Sequence, residues 1–330
     1  MAEEQEQIFV VGVDLGGTNV RACLATTSGT ILGHCKHPTP AKEGPEAVAD
    51  TIADCVQRVV ADGGTELSRV LGAGVGAPGP LDMNSGVVFQ PPNLSGWHNV
   101  PLAEMLNERL RIPVKIGNDA NLAAIGEHVY GAGQGVKDLV YMTVSTGIGG
   151  GVIIGGKLFV GISGTAGEIG HMTIDVHGPR CKCGNIGCVE AIAAGPAIAR
   201  AGELAAVQNP DSFLAKLARE NGGHITTALV AQAAEKSDTQ ASALMKHAAE
   251  AIGAACVNLV NLYNPQRIII GGGVFLNASD LLLEPILRVV NERALATPRE
   301  ACTVVPAALG DDCGLYGAVA LITHAIEVLP

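Results

Sequence analysis

The chain has 330 residues, 48% apolar and 16% charged, which excludes intrinsic disorder and suits one large or two ordinary domains. Its formal net charge of −11, with no basic stripe, argues against a nucleic-acid partner. Glycine is abundant, at 43 residues, so tight turns and close backbone approaches are expected.

The first seven residues, MAEEQEQ, are acidic and polar and lack the basic and apolar regions of a secretion signal. No apolar run reaches the ~18 residues of a membrane helix. A soluble cytoplasmic protein without a membrane partner is expected.

Residues 8–14 (IFVVGVD) read as a buried strand that runs into a tight turn. Further strands over 20–26 and 31–37 complete an antiparallel meander. A helix over 46–61 places Val48, Ile52, Val56 and Val59 on one face, and a strand follows over 71–76. Residues 114–117 form a short strand, and 119–130 a helix stopped by Gly131. A second meander has strands over 139–144, 151–154 and 157–160, with Gly-rich turns at 145–150 and 155–156. From Glu190 onward helices dominate, most clearly over 241–263. A buried strand at 267–270 runs into three glycines, residues 303–306 form the last strand, and 314–328 the last helix.

The two halves repeat this order weakly, and DLGGT at 14–18 corresponds to STGIGG at 145–150. Two related α/β domains flanking a cleft are therefore expected, with a shared hinge near 117–119. The smaller comprises 1–117 plus 314–330, and the larger 118–313 with a metal loop.

Asp14-Leu15-Gly16-Gly17-Thr18-Asn19 brings backbone N–H groups close to an anion, and Thr18 and Asn19 add side-chain donors. Asp14 stands where it could hold Mg²⁺ through water. Residues 145–151 offer a second cradle, with Thr146, Gly147 and Gly149. The Gly-Gly turn alone reads as an ordinary hairpin; the Thr-Asn that follows it and the second loop, which itself favours phosphate over a hairpin, reverse that preference. A dinucleotide fingerprint is rejected, because Val152 stands where G-x-G-x-x-G needs its last glycine. Residues 151–157 have P-loop spacing, but Leu158 replaces the Mg²⁺-binding Ser/Thr. Gly272 and Gly273 could let an adenine or ribose pack on bare backbone, as could the turn at 310–314.

Gly117-Asn118-Asp119-Ala120-Asn121 lies at a strand-to-helix junction. Asp119 reads either as a general base for a hydroxyl or as a helix N-cap, and Asn118 offers an amide to a sugar hydroxyl. Glu168, without charged neighbours, and Glu190 add acceptors suited to vicinal hydroxyls.

Of nine cysteines, Cys23, Cys35, Cys55, Cys256, Cys302 and Cys313 are scattered and read as buried free thiols. Cys181-x-Cys183-x4-Cys188 is a tight cluster that His171 could complete for structural Zn²⁺, with His177 a competing ligand. Zinc would staple the loop carrying Glu190 to the segment carrying Glu168.

In this order the motifs resemble the ROK family (repressors, open reading frames, sugar kinases), and within it the bacterial glucokinases. The matching stretches are VGVDLGGTNVR at 11–21, GVGAPGPLD at 74–82, NLSGW at 93–97 and GNDANLAAIGE at 117–127. They continue with STGIGGG at 145–151, GTAGEIGH at 164–171, CKCGNIGCVE at 181–190 and IIIGGGV at 268–274. The resemblance implies an actin-like, ribonuclease H-like ATPase fold. It implies ATP with Mg²⁺ as donor and transfer to the 6-hydroxyl of glucose, with Asp119 as base. It places Asn118, Asp119, Glu168, His171 and Glu190 around the sugar, with Gly79 and Asn93 lining it. It implies zinc on His171, Cys181, Cys183 and Cys188, one imidazole nitrogen on the metal and the other on a sugar hydroxyl. A homodimer is implied as well. Ser95 stands where many relatives have Pro, and Ala194 replaces a common Ser, so other hexoses such as N-acetylmannosamine or fructose stay open, as does polyphosphate as donor. Family repressors carry an N-terminal helix-turn-helix, for which the seven residues before the first strand are too short.

Overall fold

The structure, a computed structural model, describes residues 7–91 and 93–330. The acidic residues 1–6, discussed above for targeting, lie outside the described residues. The strands are β1 (Phe9–Leu15), β2 (Asn19–Thr26), β3 (Ile31–Pro38), β4 (Val70–Ala77), β5 (Leu81–Asp82), β6 (Val87–Val88) and β7 (Val114–Asn118). They continue with β8 (Leu139–Val144), β9 (Ile148–Ile154), β10 (Lys157–Phe159), β11 (Arg267–Gly271), β12 (Thr303–Pro306) and β13 (Val328–Leu329). The helices are α1 (Pro45–Asp62), α2 (Leu102–Leu110), α3 (Asp119–Tyr130), α4 (Val189–Ala193), α5 (Gly195–Gln208) and α6 (Phe213–Glu220). After them come α7 (Thr227–Glu235), α8 (Thr239–Tyr263), α9 (Gly273–Asn277), α10 (Ser279–Arg293), α11 (Ala296–Ala301) and α12 (Cys313–Thr323). Two compact units result: one of the residues up to Lys137, Gly151–Gly167 and Asp311–Pro330, the other of Asp138–Gly150 and Glu168–Gly310.

The first unit is built on a five-stranded sheet of order β3-β2-β1-β4-β7. β1, β2 and β3 form the expected antiparallel meander, while β4 runs parallel to β1 and β7 parallel to β4. Alternation along β1 feeds two layers. Phe9, Val11, Val13 and Leu15 join the core with α1 and α2, whereas Val10 packs with Leu315 and Val319 of α12. A strand covered on both faces reads as a continuous apolar run, which is how this one appears in the sequence.

Helix α12 comes close enough to touch backbone. A Cβ on Gly74 would lie 1.9 Å from the Ala318 carbonyl oxygen. A Cβ on Gly317 would lie 1.7 Å from the Leu122 carbonyl oxygen of α3. Backbone cannot yield as a flexible side chain does, so Gly317→Ala forces α3 and α12 apart. The expected cost is about 1–3 kcal/mol or more, read as a lower urea midpoint at unchanged m-value. An unchanged midpoint would mean that the helices do not pack this tightly. The last helix ends at Thr323, five residues before the expected 328. The tail instead adds an edge: Val328 and Leu329 pair in parallel with Leu158 and Phe159.

In the second unit β12, β11 and β8 run parallel, and Ile268, Ile269 and Ile270 are fully buried. The 25-residue α8 packs against α10, α7, α4 and α5. Its N-cap, Asp238, is buried yet accepts backbone N–H bonds from Gln240, Ala241 and Leu214 at 3.0–3.1 Å. Burial raises the Asp238 pKa, but these bonds outweigh it and hold the carboxyl below its usual range.

Two further sequence readings need correction. Residues 148–150 belong to β9, so Gly149 lies in a strand and the turn is confined to 145–147. Of the six scattered cysteines, Cys302 and Cys313 are only half-buried, because each sits at a helix end. No helix among the described residues is long and apolar enough to cross a membrane.

Candidate active site and metal cluster

In the first unit the chemistry gathers at the C-terminal ends of β1, β4 and β7. The β1–β2 hairpin closes through the Gly16 N–H, which donates to the Asn19 carbonyl at 2.9 Å. Gly17 and Thr18 at its tip are exposed. A Cβ on Gly17 would meet Asn93 Cβ at 3.1 Å, so the missing side chain lets the DLGGT turn lie against the NLSGW loop.

Asp14 faces Arg21 directly across the hairpin register. The Arg21 guanidinium donates to Asp14 Oδ2 from Nη2 at 2.5 Å and from Nε at 3.2 Å. Asp312, the residue before α12, lies 3.7 Å from Arg21 and 3.0 Å from His34 Nε2. Burial works against the Arg21 charge, but Asp14 more than offsets it and holds the guanidinium above its ordinary range. Gly314 lies against the same carboxylate: a Cβ there would sit 3.6–3.8 Å from its carbon and both oxygens. Arg21 was not singled out in the sequence, although the hairpin register alone places it opposite Asp14.

Asn118, not Asp119, caps α3: its Oδ1 accepts the Ala120 and Asn121 N–H groups, each at 3.1 Å. Asp119 is the first helical residue, exposed, with Oδ1 accepting the Ala120 N–H at 2.8 Å. Cap and carboxylate are thus separate residues. The Asn118 amide nitrogen points past Gly79, whose added Cβ would sit 3.2 Å from it.

In the second unit Ser145 N–H donates to the Gly147 carbonyl at 2.8 Å, forming a tight turn with Thr146 at its tip. Glu190 braces that turn: its Oε2 accepts the Ile148 N–H at 3.0 Å, while Oε1 lies 3.9 Å from Cys181 Sγ. A cavity of about 590 Å³ opens beside it, lined by Thr146, Pro196, Thr227, Gln232, Glu235 and Gly273 among others. Gly272, at φ 87°, makes the turn from β11 into α9; a Cβ there would lie 2.5 Å from the Val144 carbonyl oxygen. The expected glycine loop is therefore a strand-to-helix turn, and it shares a cavity wall with Thr146. Thr227 Oγ1 donates to the Gly195 carbonyl at 2.7 Å and fixes α7 beside the start of α5. Gln232 and Glu235 carry no sequence signal, since they belong to an ordinary amphipathic helix.

His171, Cys181, Cys183 and Cys188 bring their ligand atoms within 4.8 Å of one another. Cys181 Sγ lies 3.7 Å from His171 Nδ1, and Cys183 Sγ 3.7 Å from Cys188 Sγ. Ligands at about 2.0–2.3 Å around tetrahedral Zn²⁺ are about 3.3–3.8 Å apart, so the set fits the ion. His177, the competing ligand, lies outside the set; its backbone N–H donates to Asp175 Oδ1 at 2.9 Å. Burial, then hydrogen bonding to its sister thiols, pushes Cys188 up to about 12, so this sulfur needs a cation before it ionises at neutral pH. His171 Nε2 turns the other way, 3.9 Å from Glu168, whose side chain is 67% exposed.

The sequence profile of the ROK family matches residues 10–325. A glucokinase from Halalkalibacterium halodurans is 38% identical over 94% of this chain and 93% of its own length. A xylose repressor from Caldicellulosiruptor bescii is 32% identical over 97% of this chain, which spans 79% of that protein. Among solved structures, a ROK family glucokinase from Streptomyces griseus in complex with glucose and AMPPNP matches with a TM-score of 0.78 and 34% identity, covering 95% of this chain and 98% of that one. A ROK hexokinase from Thermus thermophilus matches with the same TM-score at 36% identity, covering 96% and 97%. The mixed α/β fold is thus the actin-like ATPase fold of these kinases, and the chain belongs to the ROK family.

Proposed function

We propose that the chain transfers the γ-phosphoryl group of ATP to the 6-hydroxyl of glucose. The likeness to the Streptomyces griseus glucokinase, which binds glucose and AMPPNP, carries this reading. Asp119 accepts the hydroxyl proton as the oxygen attacks the γ-phosphorus and ADP leaves. It is exposed at the start of α3. Asn118 keeps its carbonyl for the helix and gives its amide nitrogen to the sugar, beside Gly79; Asn93 lines the same side. With Nδ1 on the metal, His171 carries its proton on Nε2 and donates to a hydroxyl that Glu168 also contacts. Glu190 serves the sugar through Oε1, since Oε2 is held by Ile148.

The turns at 16–19 and 145–147 offer backbone N–H groups and the Thr18 and Thr146 hydroxyls to the phosphates. The cavity beside Gly272 and Gly273 takes the adenosine. Asp14 would hold Mg²⁺, which would supply charge neutralisation on the triphosphate. His171, Cys181, Cys183 and Cys188 would hold Zn²⁺, which would supply structure rather than chemistry, since four protein ligands would leave no position for substrate. A cytoplasmic homodimer belongs to the same reading.

A coupled ADP-release assay across glucose, fructose, mannose and N-acetylmannosamine tests it. The highest kcat/KM is expected with glucose, and ATP is expected to outperform polyphosphate. A preference for another hexose would change the substrate and leave the reaction class intact. Absence of sugar-dependent ADP release with every hexose would overturn the kinase reading in favour of the sugar-sensing role that the xylose repressor's name describes.

A further inference from the structure

Cys35 and Cys55 are twenty residues apart and read in the sequence as unrelated buried thiols. The fold of the first unit brings them together. β3 alternates, so Cys35 and His37 share the face turned to α1, and Cys55 lies on the buried face of α1. The Cys35 and Cys55 sulfurs and a ring nitrogen of His37 all lie within 4.8 Å of one another. Both cysteines are buried, at 8% and 0% exposure, and His37 is half-buried.

We propose that Cys35, His37 and Cys55 form a second metal site that takes a divalent thiophilic d¹⁰ cation of the Zn²⁺ class. Thiolate and imidazole are the ligands such ions prefer. Bonds of about 2.0–2.3 Å would place three donors about 3.3–3.8 Å apart, within reach of small rotamer adjustments. Charge selects the valence. Two thiolates and a neutral imidazole cancel a 2+ ion, so the buried centre carries no net charge. A monovalent ion would leave one uncompensated negative charge against the apolar core formed by Val20, Ala22, Val56 and Val59, which is costly. Binding releases the two thiol protons to the buffer, and water fills the fourth position beside the half-buried ring. The site would pin β3, the edge strand of its sheet, to α1.

The test is zinc stoichiometry of the full-length protein, purified under reducing conditions and measured by elemental analysis, with Co²⁺ as a spectroscopic probe. Wild type is expected to bind two equivalents, and Cys183→Ser to keep one that gives a thiolate-to-cobalt charge-transfer band. Cys55→Ser and His37→Ala should each remove one of the two equivalents or weaken it at least tenfold. Should Cys55→Ser fail to fold, His37→Ala decides alone, because its side chain is not fully enclosed. One equivalent in wild type, two undiminished equivalents in His37→Ala, or a Cys35–Cys55 disulfide in place of metal uptake would each overturn the proposal.

Discussion

The Asp119→Asn protein is expected to fold and bind glucose as wild type does, and to turn over about 10²–10⁴ times more slowly. The geometry makes this substitution unusually clean. The capping of α3 rests on Asn118, whose Oδ1 accepts two backbone N–H groups, so the helix start survives the change. The amide keeps the shape of the carboxylate and its oxygen can still accept the Ala120 N–H. What disappears is the negative charge, worth about 0.3–1 kcal/mol at a helix N-terminus. A thermal midpoint within about 1–3 °C of wild type beside a large loss of kcat would separate base catalysis from structure. Activity within tenfold of wild type would remove Asp119 from the base role.

The second large effect concerns the zinc cluster. Cys183→Ser is expected to lose one equivalent of bound zinc and about 5–10 °C of thermal stability. Cys183 is exposed, so its sulfur contributes little packing and the loss must come from the metal. An ion at a hundred times its dissociation constant stabilises by about 2.7 kcal/mol, and each kcal/mol moves the midpoint of a domain of this size by about 2–4 °C. With a chelator present, wild type and Cys183→Ser should share one midpoint. The KM for ATP should rise as well, because Glu190 bridges from the neighbourhood of Cys181 to the N–H of Ile148, at the edge of the Thr146 turn. Unchanged stability with the metal gone would make the cluster a mere group of thiols.

Much of this was legible in the sequence, for identifiable reasons. The β1–β3 meander announced itself because each strand is bounded by turn residues, and α3 because it follows a short apolar strand and is stopped by Gly131, although the residue that caps it, Asn118, was not read as the cap. The metal set was readable because three of its ligands sit within eight residues. What escaped depends on contacts distant along the chain. Arg21 looks like an ordinary strand cation until the register sets it against Asp14, and Asp312 joins it from the far end of the sequence. Gln232 and Glu235 line a cavity together with residues of α5 and α9, a relation no local pattern encodes. Gly149 misled because glycine promotes turns in general, whereas here bare backbone at 150 lets Ile169 pack onto β9. Cys35 and Cys55 show the same limit: a strand and the helix after it bring together side chains that spacing keeps apart.

The seating of α12 also bears on biosynthesis. The side of β1 and β4 that receives this helix is made well before its cover, Cys313–Thr323, because the second unit lies between them in the chain. Until then Val10, Cys23 and Ala25 stay without Leu315 and Val319. The nascent first unit therefore carries an open greasy surface throughout synthesis of the second, the condition under which chaperone capture is most useful and an interrupted chain most prone to aggregate.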